Sequence, residues 1–176
     1  MSGPLILPWK GVLPRIAADA FIAPNAVLIG DIEIGSQASV WFNCTIRADV
    51  HFVRIGARSN IQDGTIIHES SKPLPTLIGD DVLVGHAVIL HGCTLESGSF
   101  VGMRATVMDG AVVESGAMVA AGALVAPGKR IPAGQLWGGS PARFMRKLTE
   151  AEIADLPHGA AGYVELAAQY KADLKL

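Results

Sequence analysis

The stretch Leu95–Ile131 reads LESGSF VGMRAT VMDGAV VESGAM VAAGAL VAPGKR I, and every sixth residue is aliphatic: Leu95, Val101, Val107, Val113, Val119, Val125 and Ile131. The same period runs upstream through Ile16, Ile22, Leu28, Ile34, Val40 and Ile46, resumes at Ile55, Ile61 and Ile67, and again at Ile78, Val84 and Leu90. Ile, Leu and Val make up only 46 of 176 residues, so this regularity is selected. A short fixed period signals stacked coils of strand. An α-helix would need a 3.6-residue period, and the repeat holds too many Gly and β-branched residues for one. Gly follows the aliphatic position by one or two residues at Gly30, Gly35, Gly56, Gly79, Gly85 and Gly102. The fifth position is small or β-branched, as in Ala38, Thr65, Ala105 and Ala117, which suits a narrow prism with tight corners.

With three hexads per coil, the nineteen hexads predict about six coils over residues 16–136. Three irregularities break the period. His51 to Arg54 lengthens one coil, Glu69 to Leu77 carries Lys72-Pro73-Leu74-Pro75 and should project as a loop, and one residue is missing between Leu90 and Leu95. After Ile131 the repeat is expected to end. Thr149 with Glu152 is a capping-box start, Pro157 and Gly159 should interrupt that helix, and residues 160–173 should form a longer one, giving a C-terminal helical segment over 149–174. The chain reads as one domain, residues 1–176.

Composition narrows the class. No apolar run is long enough to span a bilayer, and Met1 to Pro14 lacks signal-peptide features, so a soluble cytoplasmic protein is expected. Two cysteines, Cys44 and Cys93, predict no disulfide framework. The net charge is −2, and Arg143, Arg146 and Lys147 are the one basic cluster, so neither nucleic acid nor a membrane is an expected partner.

The repeat gives each histidine an address. His68 and His91 are the second residues of hexads three apart, so they should stack in adjacent coils, about 4.8 Å apart, close enough to share a metal. His86 falls on the preceding face and should point away from them in its own chain. Three copies around an axis would bring a neighbour's His86 to His68 and His91. Three imidazoles with one open position make a catalytic zinc site. Arg47 should stack one coil below His68, with Asp49 two residues on, and Asn60 and Gln62 beside the same corner. His51 and His158 have no stacked partner and read as solvated. Cys93 reads as a small core residue.

The segments Arg47-Ala48-Asp49, Ser59-Asn60-Ile61-Gln62-Asp63-Gly64, His68, Gly85-His86 and His91-Gly92-Cys93 carry a resemblance to the γ-class carbonic anhydrase family. It extends through Val101-Gly102-Met103, Met108-Asp109-Gly110 and Gly139-Ser140-Pro141-Ala142-Arg143, and so covers most of the chain. The resemblance implies a left-handed parallel β-helix with a C-terminal helix, and a homotrimer with a metal at each interface. It implies zinc on His68, His86 and His91, with Fe2+ or Co2+ as other occupants. The implied activity is reversible hydration of carbon dioxide to bicarbonate by metal-bound hydroxide. Gln62 would then hydrogen-bond the water or bicarbonate, Arg47 and Asp49 would pair across the interface, and Asn60 would support the site. The sequence departs from the best-known active members at Val50, where they carry Glu, and in the 69–77 loop, where Glu69 is the one acid. Tyr163 stands where they carry a C-terminal Asn. This pattern resembles the shorter bacterial branch. Proton export would fall to Glu69, Tyr163, His51 or buffer. Three other functions fit the repeat: a hexapeptide-repeat acyltransferase with one essential His, a metal-dependent thioester hydrolase, and a non-catalytic trimeric assembly subunit stapled by metal.

Overall fold

The computed structural model describes residues 3–71 and 74–175, and Lys72 and Pro73 of the expected loop lie outside the described residues. The hexads wind into a left-handed parallel β-helix of about seven turns with one C-terminal helix. The usual right-handed crossover arises when a helix packs back onto a sheet. Here most crossovers are bare corners. At one corner Asn43, Gly64, Ala87, Arg104 and Gly122 all turn with positive φ, between 57° and 72°.

Three faces result. The first, here the histidine face, begins with Leu5–Leu7, which pairs with Val27–Ile34, and passes through Thr45–Ile55, Ile66–His68, Ile89–His91 and Thr106–Val107 to Leu124–Val125. The second, a charged face, runs from Arg15–Ile16 through the far ends of the two long strands to Thr76–Ile78, Thr94–Leu95, Val112–Val113 and Arg130–Ile131. The third runs from Phe21–Ile22 through Ser39–Val40, Asn60–Ile61, Leu83–Val84, Phe100–Val101 and Met118–Val119 to Gln135–Gly138, and closes with antiparallel Arg143–Lys147. Val27–Ile34 and Thr45–Ile55 each run around a corner and join the first two faces into one sheet.

The core is the hexad pattern made solid. Leu28, Val40, Ile46, Ile61, Ile67, Val84, Leu90, Val101 and Val119 are fully buried, and Ala26, Ala38, Ala105, Ala111 and Ala117 fill the corners beside them. The expectation of about six coils is corrected at both ends. Leu5–Leu7 adds a strand in which Ile6 pairs with Leu28, ten residues before Ile16 because a small hairpin bridged at Trp9 and Val12 intervenes. At the other end the repeat does not stop at Ile131. Trp137, six residues on, pairs with Val119, an aromatic ring in place of the aliphatic residue.

The C-terminal segment is one helix, Glu150–Leu174, with Pro157 inside it, so the expected interruption does not occur. Its start is fixed by a complete capping box between Thr149 and Glu152. Its later turns pack on Phe21 and Trp41, with the Trp41 ring 5.5 Å from Tyr163 and 5.2 Å from Tyr170. Gly159, expected as a breaker, is where the helix meets the third face: an added Cβ would lie 2.8 Å from Leu83 Cδ1. The helix therefore tolerates the hydrogen bond lost at Pro157 because both ends are anchored. Among the described residues no helix is long and apolar enough to cross a membrane.

The cap makes the helix acid-sensitive. Hydrogen bonds from Arg146, then from Thr149, hold the Glu152 carboxyl at about 2. A depressed carboxyl stabilises fully above its unfolded value and loses that contribution as pH falls through its folded value. Helical circular dichroism should hold down to about pH 4.5 and decline toward pH 2, whereas Glu152→Gln should flatten that dependence over the same window. An unchanged acid profile in the variant would show that the cap does not set it.

Candidate metal centre

The chain assembles two half-sites at opposite edges of the histidine face. At one edge His68 and His91 pair in register, and His68 Nδ1 lies 3.2 Å from His91 Nε2. Arg47 follows Thr45 and Ile46, which pair with Ile66 and Ile67, so it occupies the same column one turn below His68. Asp49 accepts from His68 Nε2 at 3.0 Å and from Arg47 at 2.7 Å. Burial would raise the Asp49 carboxyl, but the Arg47 and His68 hydrogen bonds outweigh it and hold it below its usual range. Arg47 and Asp49 form an ion pair within the chain, with the Arg47 side chain about half exposed. His91 directs Nδ1 at the Asp109 carboxylate. That contact, with burial opposing and Ser70 assisting, holds Asp109 low.

At the other edge His86 occupies the corner before Ala87, about half exposed, with Nδ1 2.9 Å from Asp63 Oδ2. Asn60 and Gln62 lie beside this corner on the third face, buried, and Gln62 Nε2 donates to Asn60 Oδ1 at 3.1 Å. Asn60 Nδ2 has no partner among the described residues. Tyr163 reaches toward the same corner from the helix: burial, then the charge of Asp63, pushes its phenol up.

The donor set fits a cation. A carboxylate faces His68 Nε2 and another faces His91 Nδ1, so in neutral rings those nitrogens carry the protons. The two remaining nitrogens then present lone pairs to each other across 3.2 Å. Two acceptors at hydrogen-bond distance repel unless a cation lies between them. A tetrahedral zinc with Zn–N bonds of about 2.0–2.1 Å has an edge of about 3.3–3.4 Å, close to this separation. His86, oriented by Asp63, likewise keeps Nε2 free. Metal-binding imidazoles are characteristically held this way by a carboxylate on the other nitrogen. A second cluster shares His68: one ligand atom each from Asp49, His68 and Glu69 lies within 4.8 Å of the others. Glu69 Oε1 is already engaged, accepting from the Val50 and His51 amides.

Asp63 and Asp109 lie in the motifs that carry the resemblance, without an expected role there. The repeat held the signal, since Asp109 lies 18 residues, or three hexads, beyond His91. The remaining candidates lie apart. His51 packs on Phe52 and His158 is exposed on the helix. Cys93 is buried in the core, and burial pushes its thiol up to about 12.

No protein-family model matches the chain. Curated relatives do. The chain is 52% identical over 159 residues to "Gamma carbonic anhydrase 2, mitochondrial" of Arabidopsis thaliana, covering 88% of this chain but 57% of that protein, so it spans under three-fifths of that relative's length. It is 46% identical over 168 residues to a "Carbonic anhydrase" of Geobacillus kaustophilus, covering 96% and 92% of the two chains. Among solved structures, a hexapeptide transferase family protein from Anaplasma phagocytophilum superposes with a TM-score of 0.91 at 45% identity, covering 94% of this chain and 98% of that one. With this identity over nearly the full length of a bacterial relative, on a shared left-handed β-helix, the chain belongs to the γ-class carbonic anhydrase family of hexapeptide-repeat proteins.

Proposed function

We propose that this protein is a zinc-dependent, cytoplasmic γ-class carbonic anhydrase that hydrates carbon dioxide reversibly to bicarbonate as a homotrimer. The facing lone pairs of His68 and His91, each ring fixed by its own carboxylate, carry the reading. His86 stands at the far edge of the same face, so a neighbouring copy would supply the third imidazole. The outward surface of that face supports such an assembly: Leu5, Leu7, Ile66 and Ile89 are exposed along it. Large exposed apolar patches mark contact surfaces.

Bound zinc supplies a water whose pKa is lowered to about 7, a magnitude known from a carbonic anhydrase of another class. The protein's own residues do the rest. Asp49, Asp109 and Asp63 fix the histidine tautomers. Asn60 occupies the Gln62 amide NH2, leaving Gln62 Oε1 to accept from water and orient it toward carbon dioxide. Tyr163 keeps its proton at neutral pH and serves as a donor. Fe2+ or Co2+ would suit the same imidazoles. The experiment is metal content of protein purified without oxygen, followed by stopped-flow carbon dioxide hydration. Protein without metal, active as an acyltransferase through one histidine, would overturn the reading.

The expected internal proton carriers are partly engaged. Val50 stands where active relatives are expected to carry Glu, Glu69 Oε1 is bound by two amides, and His51 Nδ1 accepts from the Phe52 amide. Turnover should therefore rise severalfold as imidazole buffer is raised at constant pH and ionic strength, while kcat/KM stays level. A rate indifferent to buffer would show that an internal shuttle exists.

A further inference from the structure

The segment that interrupts the repeat after His68 does more than project. Its described residues, on either side of Lys72 and Pro73, tie the turns around the site together. Glu69 is fully buried, and its Oε1 accepts from Val50 N at 2.7 Å and His51 N at 3.0 Å, one turn below. The Ser70 amide donates to the Leu74 carbonyl at 3.2 Å and closes the segment across its base. Thr76 is also fully buried, and its hydroxyl donates to the His68 carbonyl at 2.6 Å while accepting from the Gly92 amide at 3.0 Å. The hydroxyl thus bridges the backbone of the first histidine and that of the residue after the second. Gly92 turns with a φ of 53°, and an added Cβ there would lie 3.3 Å from both the Leu74 carbonyl oxygen and Ser70 Cβ. The absence of a side chain at Gly92 therefore leaves room for Ser70 and Leu74 to pack close to this turn.

We propose that residues 69–71 and 74–76 form a positioning strap, and that the Thr76 hydroxyl sets the spacing between the His68 and His91 imidazoles. The inference rests on the metal reading above and adds a residue that touches neither metal nor substrate. The Gly92 amide also donates directly to the His68 carbonyl at 3.1 Å, so Thr76→Val leaves neither backbone group without a partner and should fold.

The test is Co2+ titration of the full-length wild type, Thr76→Val and Thr76→Ser, followed by absorption in the visible range, with thermal midpoints of the metal-free proteins alongside. Groups that orient ligands change metal affinity by about 10–100-fold. Thr76→Val should lose about tenfold in Co2+ affinity at the low end of that range and alter the cobalt spectrum, and Thr76→Ser should recover both. If Thr76→Val binds Co2+ as the wild type does, the proposal is overturned, whatever its thermal midpoint. If the wild type takes up no Co2+, the metal reading fails, and the strap is judged by hydrogen exchange of the Gly92 amide. Exchange about fivefold faster in Thr76→Val and restored in Thr76→Ser supports the strap, and unchanged exchange overturns it. Should Thr76→Val not fold, Thr76→Ala, which also removes the hydroxyl between the His68 carbonyl and the Gly92 amide, decides by the same titration.

Discussion

Replacing His86 by Ala should empty the metal site while leaving the fold of each chain intact. The side chain is about half exposed at a corner, and the Asp63 carboxylate is its described polar partner. The corner is held without it: the Ala87 amide donates to the Asp63 carbonyl and the Arg104 amide to the His86 carbonyl, each at 2.8 Å. The metal-free thermal midpoint should therefore move little, as for an ordinary surface substitution, within about 0.5 kcal/mol. Loss of a ligand should exceed the 10–100-fold attached to orienting partners, so zinc affinity should fall by more than about a hundredfold and carbon dioxide hydration with it. Asp63→Asn should fall within that smaller range. Zinc retained at wild-type affinity in His86→Ala would remove His86 from the ligand set. Sedimentation of the same variant separates two roles: intact trimers assign the metal to chemistry, whereas monomers assign it partly to assembly.

The fold was open to sequence reading because a prism gives one inward position per strand. Counting by sixes therefore located Ile61, Ile67 and Leu90, all fully buried, and put His68 opposite His91. It failed where another residue type or an insertion met the same geometric need. Trp137 continues the period with a ring, and the hairpin at Trp9 and Val12 displaces Ile6 from its spacing. Helix continuity through Pro157 and Gly159 was hidden for a different reason. Local propensity argues against it, and the packing against Leu83 and Trp41 that overrides propensity is distant in sequence. At the site, the carboxylates opposite His86 and His91 were within reach of the counting argument, since each sits one turn from its histidine. The strap was not. The sequence offers Glu69 as a proton carrier, yet its carboxylate turns inward and Oε1 accepts from two backbone amides.

The largest effect on stability should come from Gly30→Ala. Gly30 lies in Val27–Ile34 where that strand turns the corner between two faces, with a φ of 86°. The register with Thr45–Ile55 shifts there, between Gly30 and Ile32. A Cβ at this position would stand 2.0 Å from the Ala48 carbonyl oxygen and 2.8 Å from its carbon, both backbone atoms that no side-chain rotation can move aside. Gly98 provides the comparison, because it has a φ of 70° but no atom within 4 Å of an added Cβ. Gly98→Ala should cost only the left-handed backbone penalty, about 1–2 kcal/mol. Gly30→Ala carries that penalty plus the overlap, and should exceed about 3 kcal/mol, beyond the usual range for a point substitution. In a chain of this size 1 kcal/mol corresponds to about 2–4 °C, so its midpoint should fall by about 6–12 °C or more. Relief of the overlap must displace Ala48, and with it Asp49 and the Val50 and His51 amides that Glu69 holds. Gly30→Ala should therefore also weaken Co2+ binding, and Gly98→Ala should not. Equal midpoint losses in the two variants, measured at one concentration and scan rate, would show that the corner yields without strain and that Gly30 is required for its φ alone.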